Sequence, residues 1–316
     1  MATNKREALL RHLSGDADDA YIPAAFFLHF GEEYKNGRAA INRHIEFFDF
    51  TNMDFSKIQF ELAFPRIKIS TRSDYSNIPC LPLEYYKPQL EVVEGILGAL
   101  KSRANVLLTL YSPFMIAGQM VGQSTLIDDL ELDPEPVLKA IDSISESLIG
   151  FIRECHRLGL DGFYHSTQGA EVNRFQDPDT FARCVQPSDL MVMNEIADHF
   201  PLNILHICDY HQEYGGYADL TPFHGYPGHI VNVSTEIGHQ SVTPLEISNW
   251  FGRPFLGGMN RLGALATGTP QEAADAARAV LANLPKDAIL GADCTVPTTT
   301  PWENLRSAIA AAHCGS

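Results

Sequence analysis

The sequence predicts an α/β protein, a single-domain (β/α)8 TIM barrel whose residues 1–20 form an N-terminal helical extension. Three observations predict it. Short apolar runs alternate with amphipathic stretches, as in a parallel sheet covered by helices. The 316 residues suit one barrel of this type. No GxGxxG or Walker motif follows an early apolar run, and an open doubly wound sheet usually carries one.

Along the chain, a first helix is expected near Asn4–Leu13. The apolar segment Tyr21-Ile-Pro-Ala-Ala-Phe-Phe-Leu-His-Phe30 reads as a first barrel strand or a pocket lining, and a helix follows near Gly37–Phe48. Strand-like runs then recur at 105–111, 162–165, 202–207, 229–233, 254–257 and 288–291. Asp133-Pro-Glu-Pro marks the start of a long helix to about Leu158, with prolines in its first turn. Asp177-Pro-Asp marks another, through Cys184. Thr269-Pro-Gln-Glu and Thr300-Pro-Trp-Glu both read as capping-box starts, for helices to Leu284 and His313. Six runs plus one or two more in 22–65 make about eight strands.

The net charge of −16 argues against nucleic acid and anionic membrane as partners, since both need a basic face. No apolar run reaches the length of a membrane span of roughly 20 residues. The polar N-terminal stretch does not read as a signal peptide, so a cytoplasmic location is expected. The six cysteines, Cys80, Cys155, Cys184, Cys208, Cys294 and Cys314, show no paired spacing. In that setting they are free thiols or metal ligands rather than disulfides.

Unusual residues cluster where a parallel barrel carries its function, at the C-terminal ends of strands. The run Asn203-Ile-Leu-His206-Ile-Cys208 ends in His-x-Cys, and positions i and i+2 of a strand share a face. The run Ala288-Ile-Leu-Gly-Ala-Asp-Cys294 ends in a third such residue. One nitrogen and two sulfurs from two strand ends can cap a tetrahedral ion, and three protein ligands leave the open position of a catalytic zinc site. Iron or cobalt are the alternatives. The same residues also fit plain core positions, because buried cysteine behaves as a small hydrophobe.

Four segments carry a resemblance. Leu205-His-Ile-Cys-Asp209, Pro254-Phe-Leu-Gly-Gly-Met-Asn260, Leu290-Gly-Ala-Asp-Cys-Thr-Val-Pro297 and Thr300-Pro-Trp-Glu-Asn-Leu-Arg306 together resemble the uroporphyrinogen decarboxylase superfamily. His-x-Cys followed by a distant Cys is similar to its zinc-dependent methyltransferase branch, which includes the methylcobalamin:coenzyme M methyltransferases, and to cobalamin-independent methionine synthase. The resemblance implies a methyltransferase or demethylase with His206, Cys208 and Cys294 as catalytic metal ligands. It also implies a small-molecule methyl donor and acceptor, a corrinoid, free or on a carrier protein, as an external methyl source, and a homodimer.

The chain departs from the parent decarboxylases in two places. Their Arg-Gln-Ala-Gly-Arg motif has no counterpart near Phe27-Leu-His-Phe-Gly-Glu-Glu-Tyr34, and Ala292-Asp293-Cys294 replaces their Gly-His-Gly. A decarboxylase-like lyase acting on a small carboxylate, or a non-catalytic metal- or corrinoid-binding barrel, are the rival readings. It also departs from the methyltransferases, where a Glu often ends the next strand. Here Ser234 holds that place and Glu236, two residues on, is the expected fourth ligand. Tyr164, His165, Gln168, His239 and Phe26 are the candidates for substrate contact. His211, His224 and His229, with Tyr210, Tyr214, Tyr217 and Tyr226, read as a lid over the mouth.

Overall fold

The computed structural model describes residues 4–15, 21–210 and 212–314. Five parallel strands form one sheet in sequence order: β1 (Phe55–Ile58), β2 (Asn105–Tyr111), β3 (Gly162–Thr167), β4 (Ile204–Ile207) and β5 (Ile230–Asn232). A short antiparallel hairpin follows, β6 (Glu236–Ile237) and β7 (Gln240–Ser241), and then a parallel pair, β8 (Leu256–Met259) and β9 (Ile289–Ala292). The ring closes through bridges. Val231 of β5 pairs with Phe255 ahead of β8, and the extended segment through Ala24 pairs with Leu290 of β9. The Asp54 N–H then donates to the Ala24 carbonyl at 3.0 Å, joining that segment to the entry of β1. The Tyr21–Phe30 segment is therefore the first stave of an eight-stave barrel.

Both faces of the sheet are covered, so the strands are buried almost throughout and carry no edge to be blunted. Alternation sorts their side chains. In β3, Tyr164 and Ser166 point into the barrel, whereas Thr167 donates its hydroxyl outward to Asp189 on helix Gln186–His199. The barrel floor is tied by Asn232, whose Nδ2 donates to the Leu256 carbonyl at 2.7 Å and the Ala292 carbonyl at 3.0 Å, and whose Oδ1 accepts from the Tyr164 hydroxyl.

The helices follow their local signals with three differences. Asn4 caps helix Lys5–Leu13, the helix expected from Gly37 runs to Thr51, and the long one spans Pro134–Leu158 and ends on the left-handed Gly159. The Thr269 capping box forms, over a helix that stops at Leu281 rather than Leu284. At Thr300 no box forms: Pro301 takes the N-cap place ahead of helix Trp302–His313, and the Thr300 hydroxyl has no partner among the described residues. Asp177-Pro-Asp opens a turn instead of a helix. The chain coils only from Phe181, through a wide π-type turn to Val185, and then continues as Gln186–His199. No described helix is long and apolar enough to cross a membrane.

Candidate metal centre

His206 and Cys208 stand on one face because β4 places them two residues apart at its C-terminal end. The Cys208 N–H donates to the Thr167 carbonyl at 2.8 Å, which continues the β3–β4 ladder one step past the strand. Cys294 follows β9 on the same end of the barrel. The Cys294 Sγ lies 3.3 Å from His206 Nε2. One ligand atom from each of the three residues lies within 4.8 Å of the others, and among the described residues no other group of three such side chains does so.

His206 and Cys208 are buried and Cys294 is partly so. The Cys294 thiol donates to the Cys208 sulfur. That bond holds the Cys208 thiol well below the usual range, against burial and with help from His206. The same bond and burial push the Cys294 thiol well above it. The pair is thus built to lose one proton readily and to hold the second. His206 Nδ1 is buried with no hydrogen-bond partner among the described residues, where a metal-ligating histidine ordinarily donates from its second ring nitrogen. Instead the ring packs against Tyr164, with centroids 4.8 Å apart.

The donor set fits a metal ion. Imidazole nitrogen and two thiolates are borderline and soft ligands suited to zinc, iron or cobalt. A tetrahedral zinc, with Zn–S of about 2.3 Å and Zn–N of about 2.0–2.1 Å, needs donors a little under 4 Å apart, close to the spacing found.

Two cavities meet at Cys208. The inner one, of about 230 Å³, is lined by His29, Lys57, Gln59, Tyr111, Tyr164 and Gln168 together with all three ligand residues. The outer one, of about 350 Å³, opens to solvent between Arg66, Gln123, Glu171, Arg174, Asp209 and Tyr214. Met115, Gln119, Gln168, Cys208 and Tyr210 line both. Gln168 is fixed there by Arg174, whose Nη2 donates to its Oε1 at 2.6 Å, and Arg174 in turn is paired with Glu171 at 2.6 Å and stacked on Tyr214. Burial, with Glu171 and Cys208 nearby, raises the Asp209 carboxyl to about 6.

Of the residues expected at the site, His206, Cys208, Cys294, Tyr164 and Gln168 come together. Four do not. Glu236 is exposed on the β6–β7 hairpin, where its Oε1 accepts from the Ser241 hydroxyl at 2.5 Å, outside the metal-ligating group. β5 ends at Asn232, so the facing rule that would have carried Glu236 inward does not reach it. His239 occupies the turn of that hairpin at φ 61° and is exposed. His165 points to the helix layer, fully buried, with neither ring nitrogen partnered; burial takes it down to about 3, so it stays neutral. Phe26 lies in the core and lines neither cavity; its neighbour Phe27 packs edge-on to Tyr164.

The expected lid is pinned. Tyr217 donates to the Cys208 carbonyl at 2.8 Å, Tyr226 to Asp189 at 3.1 Å, and His229 Nδ1 accepts from the Asn203 N–H at 3.0 Å. The 214–216 loop is laddered to residues 172–173. His224 packs edge-on against Phe251, away from both cavities. Tyr210 and Tyr214 alone of that set reach the cavities, and His211 lies outside the described residues.

Sequence reasoning missed Lys57, His29 and Glu61. Lys57 is buried at the centre of β1, its ammonium 4.5 Å from the Tyr164 ring centroid and 4.8 Å from that of Phe27, with Gln59 Oε1 at 3.2 Å. Burial pushes it down to about 7. Its signal was a lysine in the mixed run Phe55-Ser-Lys-Ile-Gln-Phe60, which reads as a half-exposed strand and folds as a buried stave.

Fold and site together define a (β/α)8 barrel with a His-Cys-Cys centre at the C-terminal mouth. The model of the family described as "Uroporphyrinogen decarboxylase (URO-D)" matches residues 59–314, and the chain belongs to that family. Among solved structures it is similar to a methyltransferase from Methanosarcina mazei, 14% identical over 98% of both chains with a TM-score of 0.76. It is also similar to a B12-independent methionine synthase from Shewanella sp. W3-18-1, solved in complex with selenomethionine, 10% identical over 93% of this chain and 97% of that one with a TM-score of 0.55. At those identities the likeness is one of fold. No curated protein matches the sequence.

Proposed function

We propose that this chain is a metal-dependent methyltransferase, or a demethylase running the same chemistry in reverse, that moves a methyl group between small molecules. The observation that carries the reading is the approach of His206 Nε2, Cys208 Sγ and Cys294 Sγ to within 4.8 Å at the mouth of a cavity. Those three residues would hold the ion, zinc first, with iron or cobalt as alternatives. A bound divalent ion supplies Lewis acidity that keeps a thiol deprotonated at neutral pH.

The chain's own residues supply the rest. Tyr164 and Gln168 line the inner cavity beside the three ligand residues, and Phe27 packs edge-on against Tyr164. The inner cavity holds the acceptor and the outer one admits the donor, so the methyl group passes at Cys208, where both cavities open. The sulfur of the acceptor gains the methyl carbon, and the donor atom leaves with the bonding pair. A corrinoid, free or on a carrier protein, is one donor that would approach through the outer cavity. Decarboxylation of a tetrapyrrole polycarboxylate is a poorer fit, because among the described residues the basic groups that line the inner cavity are Lys57 and one imidazole, His29, besides the ligand His206.

The test is turnover. Purified protein reconstituted with zinc is assayed with methylcobalamin and other methylated donors against small thiols. Methylated thiol that disappears in Cys208→Ser supports the reading, and undiminished transfer by Cys208→Ser contradicts it.

A further inference from the structure

One wall of the inner cavity carries a histidine, paired with a carboxylate behind it, that metal ligation leaves unused. His29, at the end of the Tyr21–Phe30 stave, lines this cavity, and its Nδ1 lies 2.7 Å from Glu61 Oε1 just beyond β1. These are neighbouring staves, so the pair bridges them on the same C-terminal end as Cys294. Glu61 is anchored from behind. Its N–H donates to Gln89 Oε1 at 3.2 Å, and Gln89 Nε2 donates to the Gln59 carbonyl at 3.2 Å. With Nδ1 engaged, Nε2 is the nitrogen His29 offers to a ligand.

The His29 side chain is 34% exposed and that of Glu61 11%. His29 therefore reaches solvent from the cavity wall, beside the nearly buried carboxylate of Glu61. Lys57, the other basic group lining the cavity, is buried against Phe27 and Tyr164 and has no such outlet. The charged or titratable groups around the pair are Lys57 on β1, Tyr111 on β2, His44 on the helix Gly37–Thr51, Lys35 ahead of that helix, and the two cysteines. Glu61 is the carboxylate that meets the ring, while Lys35 pairs with its own, Glu32, at 2.6 Å.

We propose that His29, oriented by Glu61, is the catalytic base that takes the proton from the acceptor thiol. The S–H bond breaks, its electron pair stays on sulfur, and the proton forms a bond to His29 Nε2. The imidazolium is balanced by the Glu61 carboxylate and returns its proton to water at the exposed edge of the ring. The inference rests on the methyl-transfer reading and adds the residue that moves the proton.

The experiment uses the full chain loaded with cobalt(II) and 2-mercaptoethanol as the probe. Stopped-flow absorbance follows the increase in the sulfur-to-cobalt charge-transfer band above that of the two cysteine ligands when the thiol is mixed in, from about pH 6 to about pH 9. In His29→Gln the band is expected to rise about 100-fold more slowly at the acid end, to the same final height, since a placed base contributes about 10²–10⁴-fold. Added imidazole should restore the rate in His29→Ala. Glu61→Gln should slow the rise as well, because the carboxylate that orients the ring and balances the imidazolium is gone. An unchanged rate in His29→Gln overturns the assignment and leaves methyl transfer standing. Cobalt-loaded wild-type protein whose band does not grow when the thiol is added overturns both.

Discussion

Cys294 Sγ lies 3.3 Å from His206 Nε2, across 88 positions of sequence. Nothing but the closure of the barrel brings them together: His206 lies at the C-terminal end of β4, Cys294 follows β9, and two staves, β5 and β8, lie between them in the ring.

That proximity predicts an ordered pattern of thiol reactivity. Cys80 and Cys314 are exposed and should be alkylated at once by iodoacetamide, while buried Cys155 and Cys184 stay inert. Cys208 and Cys294 should be protected in metal-loaded protein. After chelation Cys208 should react first, because its thiol is held well below the usual range by the bond from Cys294. Peptide mass mapping over time reads the order, and Cys208 labelling as fast with metal as without it would speak against ligation.

Asn232 should be a stability residue beneath the site. Its amide joins β5 to β8 and β9 and accepts from Tyr164. Asn232→Ala leaves buried carbonyls and a hydroxyl unpaired, at about 1–3 kcal/mol for each unsatisfied group before relaxation. A loss of about 3 kcal/mol in urea unfolding is expected, with a loss below about 1 kcal/mol contradicting the role.

Asp189 should make stability fall with rising pH. Burial raises its carboxyl to about 7, against the bonds from Thr167 and Tyr226, and its Oδ1 has no partner among the described residues. A folded-state value above the unfolded one, near 3.9, contributes stability that is whole below about pH 4 and lost as pH rises through 7. Asp189→Asn keeps the shape and removes the charge. Its unfolding midpoint should be flatter than the wild type's between pH 4 and 7, and parallel curves would exclude Asp189 as the titrating group.

Lys57→Met should raise the unfolding midpoint of the metal-free protein. A lysine buried at the centre of a stave costs stability that a thioether chain of similar length does not. A gain of about 1 kcal/mol or more is expected, as for residues kept for a site at the expense of the fold. A clear loss of stability would show that Lys57 is held for packing against Phe27 and Tyr164.

The barrel was legible because its staves bury both faces and so read as unbroken apolar runs, as at Asn105–Tyr111 and Ala288–Gly291. The ligand triad was legible because His206 and Cys208 share a strand face and Cys294 ends another stave. What failed depended on where strands stop and what packs across the barrel. Glu236 was assigned inward on the assumption that β5 continues, whereas the chain turns into a hairpin after Asn232. Helix Lys87–Leu100, without a distinctive cap, left no start signal beyond the proline in its first turn. His29 and Glu61 are unremarkable one at a time and become a pair only because the first two staves are neighbours.

The central claim is that His206, Cys208 and Cys294 hold one metal ion. Elemental analysis of protein purified without chelator or affinity nickel tests it most directly. The account predicts close to one zinc, iron or cobalt per chain, lost in Cys208→Ser and in Cys294→Ser while circular dichroism stays unchanged. Wild-type protein that carries no metal, even after reconstitution, would contradict it.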